Sequence, residues 1–536
     1  MRITYTRSAL AAVLLTLPSA LGGYGVAVHD LFPREALGAH PSLGALPVSR
    51  ELLPGASDAD VERFRLWLHQ RASALPDTAL RHRFRARYPG SASFDARAMR
   101  EFFMMNGARR VLGVDSFGAV RATMSETESG LDPHLPYLPG RPIALVEALQ
   151  LGSIYPDLDR RNQARLARDA RGAPLRTARG DSIPFDPMAL NMGALTGLTS
   201  QAHAHYGLNR APKSADPATL KARPWDFALA TGFDGPVETY APDNAQLYTD
   251  LSLLAELSGT GGGRTLAALY AGNAMHYVAD VGNAVHTVQV GSYAILVDAT
   301  LQHWLRHALT LFGLLGDAPS RDQIGLDIIT NLHTLSERLY QEQLLEAVGR
   351  RHARRGTAAT GALSGSLTAL EHGDDSLARV LANTLSWMGA LEPVPAFGRA
   401  VAEIVVDANM RDGGEVYRLT RAIAASRLRA GRVVVDFDTV PELRVWSYVR
   451  VRRGAVVHTK LDDFNAVHQR GIARTTTALR AWWDAWRRIA GTPAQERAAL
   501  TDAVLARLVT ERLAYLDAAE RRREAWIAQH GGLAGR

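Results

Sequence analysis

The stretch Met275–His286 reads Met-His-Tyr-Val-Ala-Asp-Val-Gly-Asn-Ala-Val-His and carries the pattern H-x3-D-x5-H. On a helix, His276 and Asp280 stand one turn apart and project from the same face. The third polar side chain, His286, follows Gly282, where a helix could loosen or end. Imidazole nitrogen and carboxylate oxygen bind a borderline cation such as zinc without any cysteine. The stretch therefore predicts a metal site carried by a helix.

The composition is that of a globular protein with a large core. Of the 536 residues, 47% are hydrophobic and 21% are charged, which excludes a disordered chain. The chain has no cysteine, so disulfides, thiolate metal ligands and a cysteine nucleophile are excluded together. The formal net charge of +7 indicates either an ordinary solvated surface or attraction to anionic phosphate in lipid or nucleic acid.

The N-terminal residues are typical of an export signal. Arg2 and Arg7 precede an apolar run over residues 9–17, and Ala-Leu-Gly at 20–22 offers an A-x-G cleavage pattern. We therefore predict a signal peptide over residues 1–22 and a protein that is exported to the periplasm or secreted. An uncleaved membrane anchor is the alternative, because apolar residues continue past the cleavage pattern.

Helical patterns dominate the rest of the chain and predict a mainly α fold. A helix opens after Ser57 as its N-cap. The other predicted helices cover residues 145–152, 247–257, 294–315, 324–350, 376–387, 396–409 and 473 to the end. A strand-like patch at 433–457 alternates Val, Trp, Tyr and Arg. The glycine-rich run 259–265 lacks the ending of a Walker loop and favours a hinge.

The central segment, His276-Tyr-Val-Ala-Asp-Val-Gly-Asn-Ala-Val-His286, resembles that of the zinc-dependent phospholipase C and S1/P1 nuclease superfamily. The family pattern is H-[YF]-x-x-D-x-x-x-P-x-H, on a helical domain that binds three zinc ions. The spacing matches, while Ala284 stands where the family usually has proline. The resemblance implies a multi-helix catalytic domain over residues 23–345. A mainly helical C-terminal extension with the small β patch would follow over residues 346–536.

The resemblance also implies further metal ligands in a fixed order along the chain. Tyr24-Gly-Val-Ala-Val-His29 resembles the family's mature start, W-G-x-x-x-H, which makes His29 a ligand. The backbone amine of Tyr24 could bind only if cleavage falls directly before it. Asp157, after the short helix that ends near Gly152, corresponds to the family's metal-binding aspartate. One histidine of the pair His203 and His205 follows; His205 is favoured because an aromatic residue comes next, but both stay open.

The last implied element is H-x3-E, and the chain offers two places for it. His333-Thr-Leu-Ser-Glu337 has the matching residue types, and its two polar side chains would share one helix face. His303-Trp-Leu-Arg-His307 has the same spacing and lies closer to His286 in the sequence. Residue identity favours His333 and Glu337, while proximity favours the other pair.

By analogy with the family, three groups of ligands would each hold one zinc ion. The first group is Asp157, His205 or His203, His276 and Asp280; the second is His286, His333 and Glu337; the third is His29, Asp280 and the N-terminal backbone. In this interpretation the zinc ions activate a water molecule for attack on phosphorus. Asp157 would be the catalytic residue that orients this water or takes its proton.

The resemblance thus implies an exported zinc enzyme that cleaves phosphodiester bonds, namely a phospholipase C releasing diacylglycerol and a phosphorylated head group. The tyrosine of H-Y-x-x-D, the length of the chain and the lack of cysteine favour it over a single-strand nuclease or 3'-nucleotidase. Its partners would be phospholipid and a transient membrane surface, or nucleic acid under the nuclease alternative. A non-catalytic helical envelope protein is the third alternative, and the sequence does not give the oligomeric state.

A cluster of tryptophans near the C-terminus has two interpretations. Trp482, Trp483 and Trp486, followed by Arg487 and Arg488, could seat the protein at a lipid interface. The same spacing is also typical of the core face of a helix, which is the interpretation we prefer.

Overall fold

The structure is a computed structural model that describes residues 26–38, 51–103, 142–154, 156, 166–169, 173–187, 205, 207, 241–287, 340, 343–344, 347–348, 364–392, 394–428 and 455–534. Within these residues the fold is mainly α, as the sequence predicts, and the only sheet has two strands. None of the described helices combines the length and the apolar character needed to cross a membrane. The predicted signal peptide lies outside the described residues.

The N-terminal part supplies the helices around the predicted metal segment. In chain order they are α1 (Val26–Gly38), α2 (Asp58–Ala72), α3 (Thr78–Arg87), α4 (Ala96–Phe103), α5 (Leu145–Ile154), α6 (Ala241–Leu257) and α7 (Gly263–Gly282), and a 3-10 turn (Ala284–His286) follows α7. The strands β1 (Leu52–Leu53) and β2 (Ile143–Ala144) pair antiparallel with Leu52 opposite Ala144. This pairing ties the chain before α2 to the start of α5.

In the C-terminal part, all of the described elements are helices. They are α8 (Ser364–His372), α9 (Asp375–Leu391), α10 (Phe397–Leu428), α11 (Ala455–Ala490) and α12 (Arg497–Gln529). Of the predicted strand-like patch, only residues 455–457 are described, and they begin α11, so the strand prediction is wrong for these three. The alternating pattern stops at Gly454, and no turn residue separates the next residues from the long helical run that follows.

Polar side chains fix where two of these helices begin. The Asp60 carboxylate accepts hydrogen bonds from the backbone nitrogen and the hydroxyl of Ser57, at 2.8 and 2.6 Å, so α2 starts where the sequence predicts. Asp374 accepts from the backbone nitrogens of Ser376 and Leu377 at the start of α9. Such contacts provide partners for backbone groups that the first turn of a helix leaves without one.

Residues 258–262 form the short connection between α6 and α7 and include the first four residues of the glycine-rich run 259–265. Gly259 and Gly262 adopt φ angles of 62° and 72°, a region that side chains disfavour. A Cβ on Gly262 would lie 2.7 Å from Cγ of Asp60, so the connection packs tightly against the start of α2. This geometry does not test the predicted hinge motion, which stays a prediction.

Helix α7 lies at the centre of the core. All of its residues are buried except Arg264, and it packs against α5, α6, α10 and α11. One hydrophobic core therefore includes helices from both sides of the predicted domain limit at residue 345. The limit itself stays a prediction.

The tryptophan cluster belongs to this core. Trp482, Trp483 and Trp486 are 0%, 2% and 9% exposed, which confirms the core interpretation and excludes a lipid-facing role for them. Trp482 donates from Nε1 to the Thr249 hydroxyl at 2.9 Å, and its ring packs against Phe397. The cluster thereby joins α11 to α6 and α10.

Candidate metal centre

Helix α7 presents His276 and Asp280 on one face, as the H-x3-D spacing predicts. Both side chains are fully buried, and His276 Nε2 lies 3.3 Å from Asp280 Oδ2. A carboxylate buried this deeply is costly unless other groups compensate its charge. The compensating groups come from segments far away in the sequence.

Ser153 fixes the orientation of the His276 ring. His276 Nδ1 lies 2.8 Å from the carbonyl oxygen of Ser153, and a carbonyl can only accept, so Nδ1 carries the proton. The lone pair of Nε2 then points towards Asp280. Metal-binding histidines have this arrangement, with one nitrogen held by a carbonyl and the other turned to the ion.

Two glycines bring the Ser153 carbonyl within reach of His276. A Cβ on Gly152 in α5 would lie 2.1 Å from the carbonyl oxygen of Leu269 in α7. A Cβ on Gly272 would lie 2.3 Å from the carbonyl oxygen of Leu149. The two helices therefore touch backbone to backbone, and a larger residue at either position would push them apart.

His205 adds a third donor atom to the same place. Its Nδ1 lies 2.8 Å from Asp280 Oδ2 and 3.0 Å from His276 Nε2. The three atoms form a small buried triangle, and the His205 ring also packs against Tyr277, with centroids 5.5 Å apart. The pair His203 and His205 was left open by the sequence; the structure brings His205 to Asp280, while His203 lies outside the described residues.

The triangle is short of protons. His276 Nε2 and the carboxylate oxygen both offer lone pairs, because the proton of the His276 ring is on Nδ1. A proton on His205 Nδ1 can satisfy the 2.8 Å contact to Asp280, but it leaves His276 Nε2 facing the carboxylate oxygen. A cation between the three atoms, either a second proton or a metal ion, removes this repulsion.

His29 approaches the other oxygen of Asp280. In α1, His29 Nε2 lies 3.4 Å from Asp280 Oδ1, and its ring stacks on that of His276 with centroids 3.8 Å apart. Among the described residues, Asp280 Oδ1 has no hydrogen-bond partner. The group His29, His276 and Asp280 is buried and compact enough to hold a metal ion.

His286 is held beside this group by the backbone around His205. The helix ends at Gly282, and His286 follows in the 3-10 turn. His286 Nδ1 lies 2.9 Å from the carbonyl oxygen of His205, so it donates, and the backbone nitrogen of Gly207 donates to the His286 carbonyl at 2.7 Å. The third residue of the H-x3-D-x5-H pattern is therefore also buried and locked in orientation.

Two opposing effects act on the pKa of the Asp280 carboxyl. Burial raises this pKa, but His276 and His205 lower it by more, through their hydrogen bonds and through the positive charge they carry when they are protonated. The pKa therefore lies well below its ordinary value, and Asp280 is an ionised carboxylate in the core. This is the form in which a carboxylate binds a metal ion.

Several residues named by the sequence lie outside the described part of the chain. They are Tyr24, Asp157, His203, His303, His307, His333 and Glu337. Two neighbours of theirs are described: Ser153, four residues before Asp157, contacts His276, and Tyr340, three residues after Glu337, lies near Gly471 and Gly282.

Three groups that shape the site could not be predicted from the sequence. The carbonyls of Ser153 and His205 hold histidine rings through backbone atoms, which leave no mark in the residue pattern. Asn409, from the C-terminal part, donates hydrogen bonds to the end of α7 across more than a hundred residues. No local spacing could have revealed it.

Comparisons with known proteins do not identify the chain. No protein-family model, no curated protein and no solved structure matches it.

Proposed function

We propose that this chain is a zinc-dependent phosphodiester hydrolase, and specifically a phospholipase C. The observation that carries the proposal is the buried triangle of His205 Nδ1, His276 Nε2 and Asp280 Oδ2, whose sides measure 2.8, 3.0 and 3.3 Å. Three donor atoms with too few protons, in the middle of a core, are best explained by a resident cation.

The donor set suits zinc in both chemistry and spacing. Two imidazole nitrogens and a carboxylate oxygen are ligands that zinc accepts readily. In a tetrahedral site with ligand distances of about 2.0 Å, neighbouring donor atoms stand about 3.3 Å apart. The triangle is slightly tighter than that, so small outward movements of the side chains would admit the ion.

Asp280 is placed to serve a second ion. Its Oδ2 belongs to the triangle, whereas its Oδ1 faces His29 on the other side. A carboxylate that offers its two oxygens to different groups of histidines is suited to bridge two cations. His286, oriented through the His205 carbonyl, would contribute to a further ion with His333 and Glu337.

The order of these residues in the chain supports phosphodiester chemistry. The residues that lie close together here follow one another along the chain in the order that the resemblance requires. They are His29, the segment before Asp157, His205, the pair His276 and Asp280, and His286. Independent segments of a helical protein without such a site have no reason to bring these polar side chains together in its core.

In the proposed reaction, the side chains of the protein would bind the metal ions and take up a proton from the attacking water. Bound zinc ions would supply positive charge for the phosphate oxygens and lower the pKa of a water molecule to about 7. His205, His276, Asp280 and His29 would fix these ions, with Ser153 keeping the His276 ring in place. Asp157 would orient the attacking water or take its proton.

The substrate assignment rests on the sequence. The tyrosine in H-Y-x-x-D, the length of 536 residues and the absence of cysteine favour phospholipid over nucleic acid. The protein would work after export, at a membrane surface. A single-strand nuclease is the runner-up, since the same centre would serve it.

The test combines metal analysis with two substrates. The purified full chain is analysed by elemental mass spectrometry and assayed on phosphatidylcholine vesicles and on single-stranded DNA, before and after chelation and zinc reconstitution. We expect two to three zinc ions per chain and chelator-sensitive release of phosphocholine. Zinc with DNA cleavage alone would move the assignment to the nuclease. No zinc even after reconstitution would refute the metal centre and leave a non-catalytic helical protein.

A further inference from the structure

Asn409 joins the C-terminal part of the chain to the end of the metal-bearing helix. It is fully buried in α10, and its Nδ2 donates to the carbonyl oxygens of Val281 and Gly282, at 2.9 and 3.0 Å. The last carbonyls of a helix have no partner within the helix and must find one elsewhere. One amide group of Asn409 serves two of them.

A network of charged side chains fixes the orientation of the Asn409 amide and prevents its oxygen and nitrogen from exchanging places. Asn409 Oδ1 accepts from Arg474 Nη1 at 2.6 Å, and Arg474 Nη1 also donates to Asp412 Oδ2 at 2.5 Å. Arg470 binds the same carboxylate through two nitrogens, at 2.7 and 3.0 Å. Because arginine can only donate, the oxygen of Asn409 must face Arg474 and its NH2 group must face α7.

The contact lies where α7 passes into the His286 turn. Asp280 is one residue before Val281, and the turn that carries His286 begins at Ala284, two residues after Gly282. The hydroxyl of Thr287, just past the turn, donates to the Ala284 carbonyl at 2.7 Å and lies 3.4 Å from the backbone carbonyl oxygen of Asn409. Asn409 therefore holds the backbone at the end of α7, between Asp280 and the turn that carries His286.

Helix α11 packs directly against the same end of α7. A Cβ on Gly282 would lie 1.9 Å from the Thr475 hydroxyl oxygen, and a Cβ on Gly471 would lie 2.9 Å from the Gly282 carbonyl. The end of α7 thus has no room to shift towards α11. The position of the end of α7 is set by α10 and α11 together, and both helices are distant in the sequence from residues 275–286.

We infer that Asn409, oriented by Arg474 and Asp412, is a positioning residue that sets the separation of Asp280 and His286 and thereby makes the C-terminal helices part of the metal centre. This inference rests on the proposed metal-dependent function. Asn409 itself touches no donor side chain and acts only through the backbone at Val281 and Gly282. Its loss should change how tightly and in what geometry the metal is held.

The test uses Asn409→Asp in the full chain. Aspartate keeps the size and the contact with Arg474, but it replaces the donating NH2 by an oxygen that repels the two carbonyls. The matched control is Tyr515→Phe, which removes a buried hydrogen bond to Asp186, 2.7 Å long, in a part of the fold built by α12. Each protein is measured for zinc affinity by chelator competition and for the visible spectrum of its cobalt(II)-substituted form.

We expect Asn409→Asp to weaken zinc binding about 10- to 100-fold, the range typical of residues that orient metal ligands. Its cobalt spectrum should shift, whereas Tyr515→Phe should melt at a lower temperature with wild-type affinity and spectrum. Arg474→Lys, a milder change that loosens the amide without removing it, should show the same effects to a smaller degree and replaces Asn409→Asp if that variant does not fold.

The outcomes separate the inference from the proposed function. Wild-type affinity and an unchanged cobalt spectrum in both Asn409→Asp and Arg474→Lys would overturn the positioning role while leaving the function intact. If the variants bind zinc more weakly but the wild-type protein cleaves no phosphodiester, the result would support the positioning role and refute the proposed function. A wild-type protein that binds no zinc or cobalt would overturn both.

Discussion

Asp280 shows how a single residue can organise a core. Its Oδ2 contacts the ring nitrogens of His205 and His276, and its Oδ1 faces His29. Burial alone would favour the neutral acid, yet the two histidines near Oδ2 keep the pKa well below its ordinary value. The charged form therefore depends on its neighbours, and under the proposed function a cation between them would stabilise the whole group.

Asp280→Asn tests this dependence with almost no change in shape. The amide has no charge to attract a cation and cannot offer two equivalent oxygens, so we expect the zinc content to fall by more than half. Elemental mass spectrometry of the purified variant gives the answer. The control is His69→Gln, at a buried histidine whose Nε2 lies 3.1 Å from the Tyr88 carbonyl. Equal zinc in the Asp280 variant and the control would argue against the assignment.

His468 provides a pH-dependent term in stability. It is buried in α11 beside Tyr340, and burial lowers its pKa from 6.5 to about 3. The unfolded chain binds a proton here below pH 6.5, while the folded protein does not until about pH 3. The contribution of His468 to the free energy of unfolding is therefore intact above pH 6.5 and is lost as the pH falls towards 3.

His468→Leu should remove this term. One such group contributes a slope of about 1.4 kcal/mol per pH unit between the two pKa values. We expect urea unfolding at pH 7, 6 and 5 to show a shallower loss of stability in the variant than in the wild type. Parallel pH profiles for the two proteins would mean that His468 takes up its proton in the folded state.

At the residue scale, the sequence revealed side chains and missed their backbone partners. His276 and Asp280 could be found because two metal-binding residue types one helical turn apart leave a pattern in the chain. Ser153 and Asn409 could not, because one acts through a carbonyl and the other across a fold that brings distant helices together. The residues that orient the candidate ligands are therefore those that no sequence pattern reveals.

Among the elements, the crossing of α5 and α7 has the least tolerance for change. A Cβ on Gly272 would meet only backbone atoms, at 2.3 Å from Leu149 O, 2.7 Å from Ser153 N and 2.8 Å from Gly152 Cα. No side-chain rotation can relieve such contacts. The helices would have to separate, and Ser153 would lose its hold on His276.

Gly272→Ala should therefore destabilise the protein, although alanine is intrinsically the better helix former. We expect a loss of about 1–3 kcal/mol in the free energy of unfolding, the usual cost of overpacking a core. Gly389→Ala in α9 is the matched control, since a Cβ there meets nothing within 4 Å, and it should gain about 0.5–1 kcal/mol. Denaturant unfolding compares the two, and a stabilised Gly272 variant would contradict the close crossing.

The limits of the helices were predicted with mixed success, for identifiable reasons. The prediction at 376–387 matches α9 (Asp375–Leu391), where Leu377, Leu381 and Leu385 form a clear apolar stripe. Helix α6 begins at Ala241, six residues before the predicted start, because its first turns bury polar side chains that break the apolar period. Gln246 is one of them; it binds Asp250 and the backbone of Arg399 instead of lying in solvent.

For the whole molecule, the C-terminal helices complete the core around the candidate metal centre. Arg507 in α12 binds both oxygens of Asp250, a carboxylate that is otherwise buried in α6. Trp482 in α11 binds Thr249 of the same helix. The sequence suggested a separable extension because the resemblance ends near residue 340, but a resemblance traces shared motifs and not the contacts that a particular core needs.

A chain cut at residue 345, the predicted domain limit, tests how far the two parts depend on each other. Residues 23–345 alone would expose the faces of α6 and α7 that pack against the C-terminal helices, and Asp250 would lose its partner Arg507. They would also leave the end of α7 without Asn409. Because an ordinary domain is only marginally stable and this fragment loses part of its shared core, we expect no cooperative thermal transition and no stoichiometric zinc.

Co-expression of residues 346–536 with this fragment supplies the same contacts from a separate chain, and we expect it to restore both the transition and the zinc. Calorimetry and elemental analysis measure the two properties side by side. A fragment 23–345 that melts cooperatively on its own with wild-type zinc content would show that the C-terminal helices are an independent addition. Loss in the fragment and recovery in the complex would instead mean that the metal centre is a property of the whole core, because α7 is held at its end by helices that the resemblance does not include.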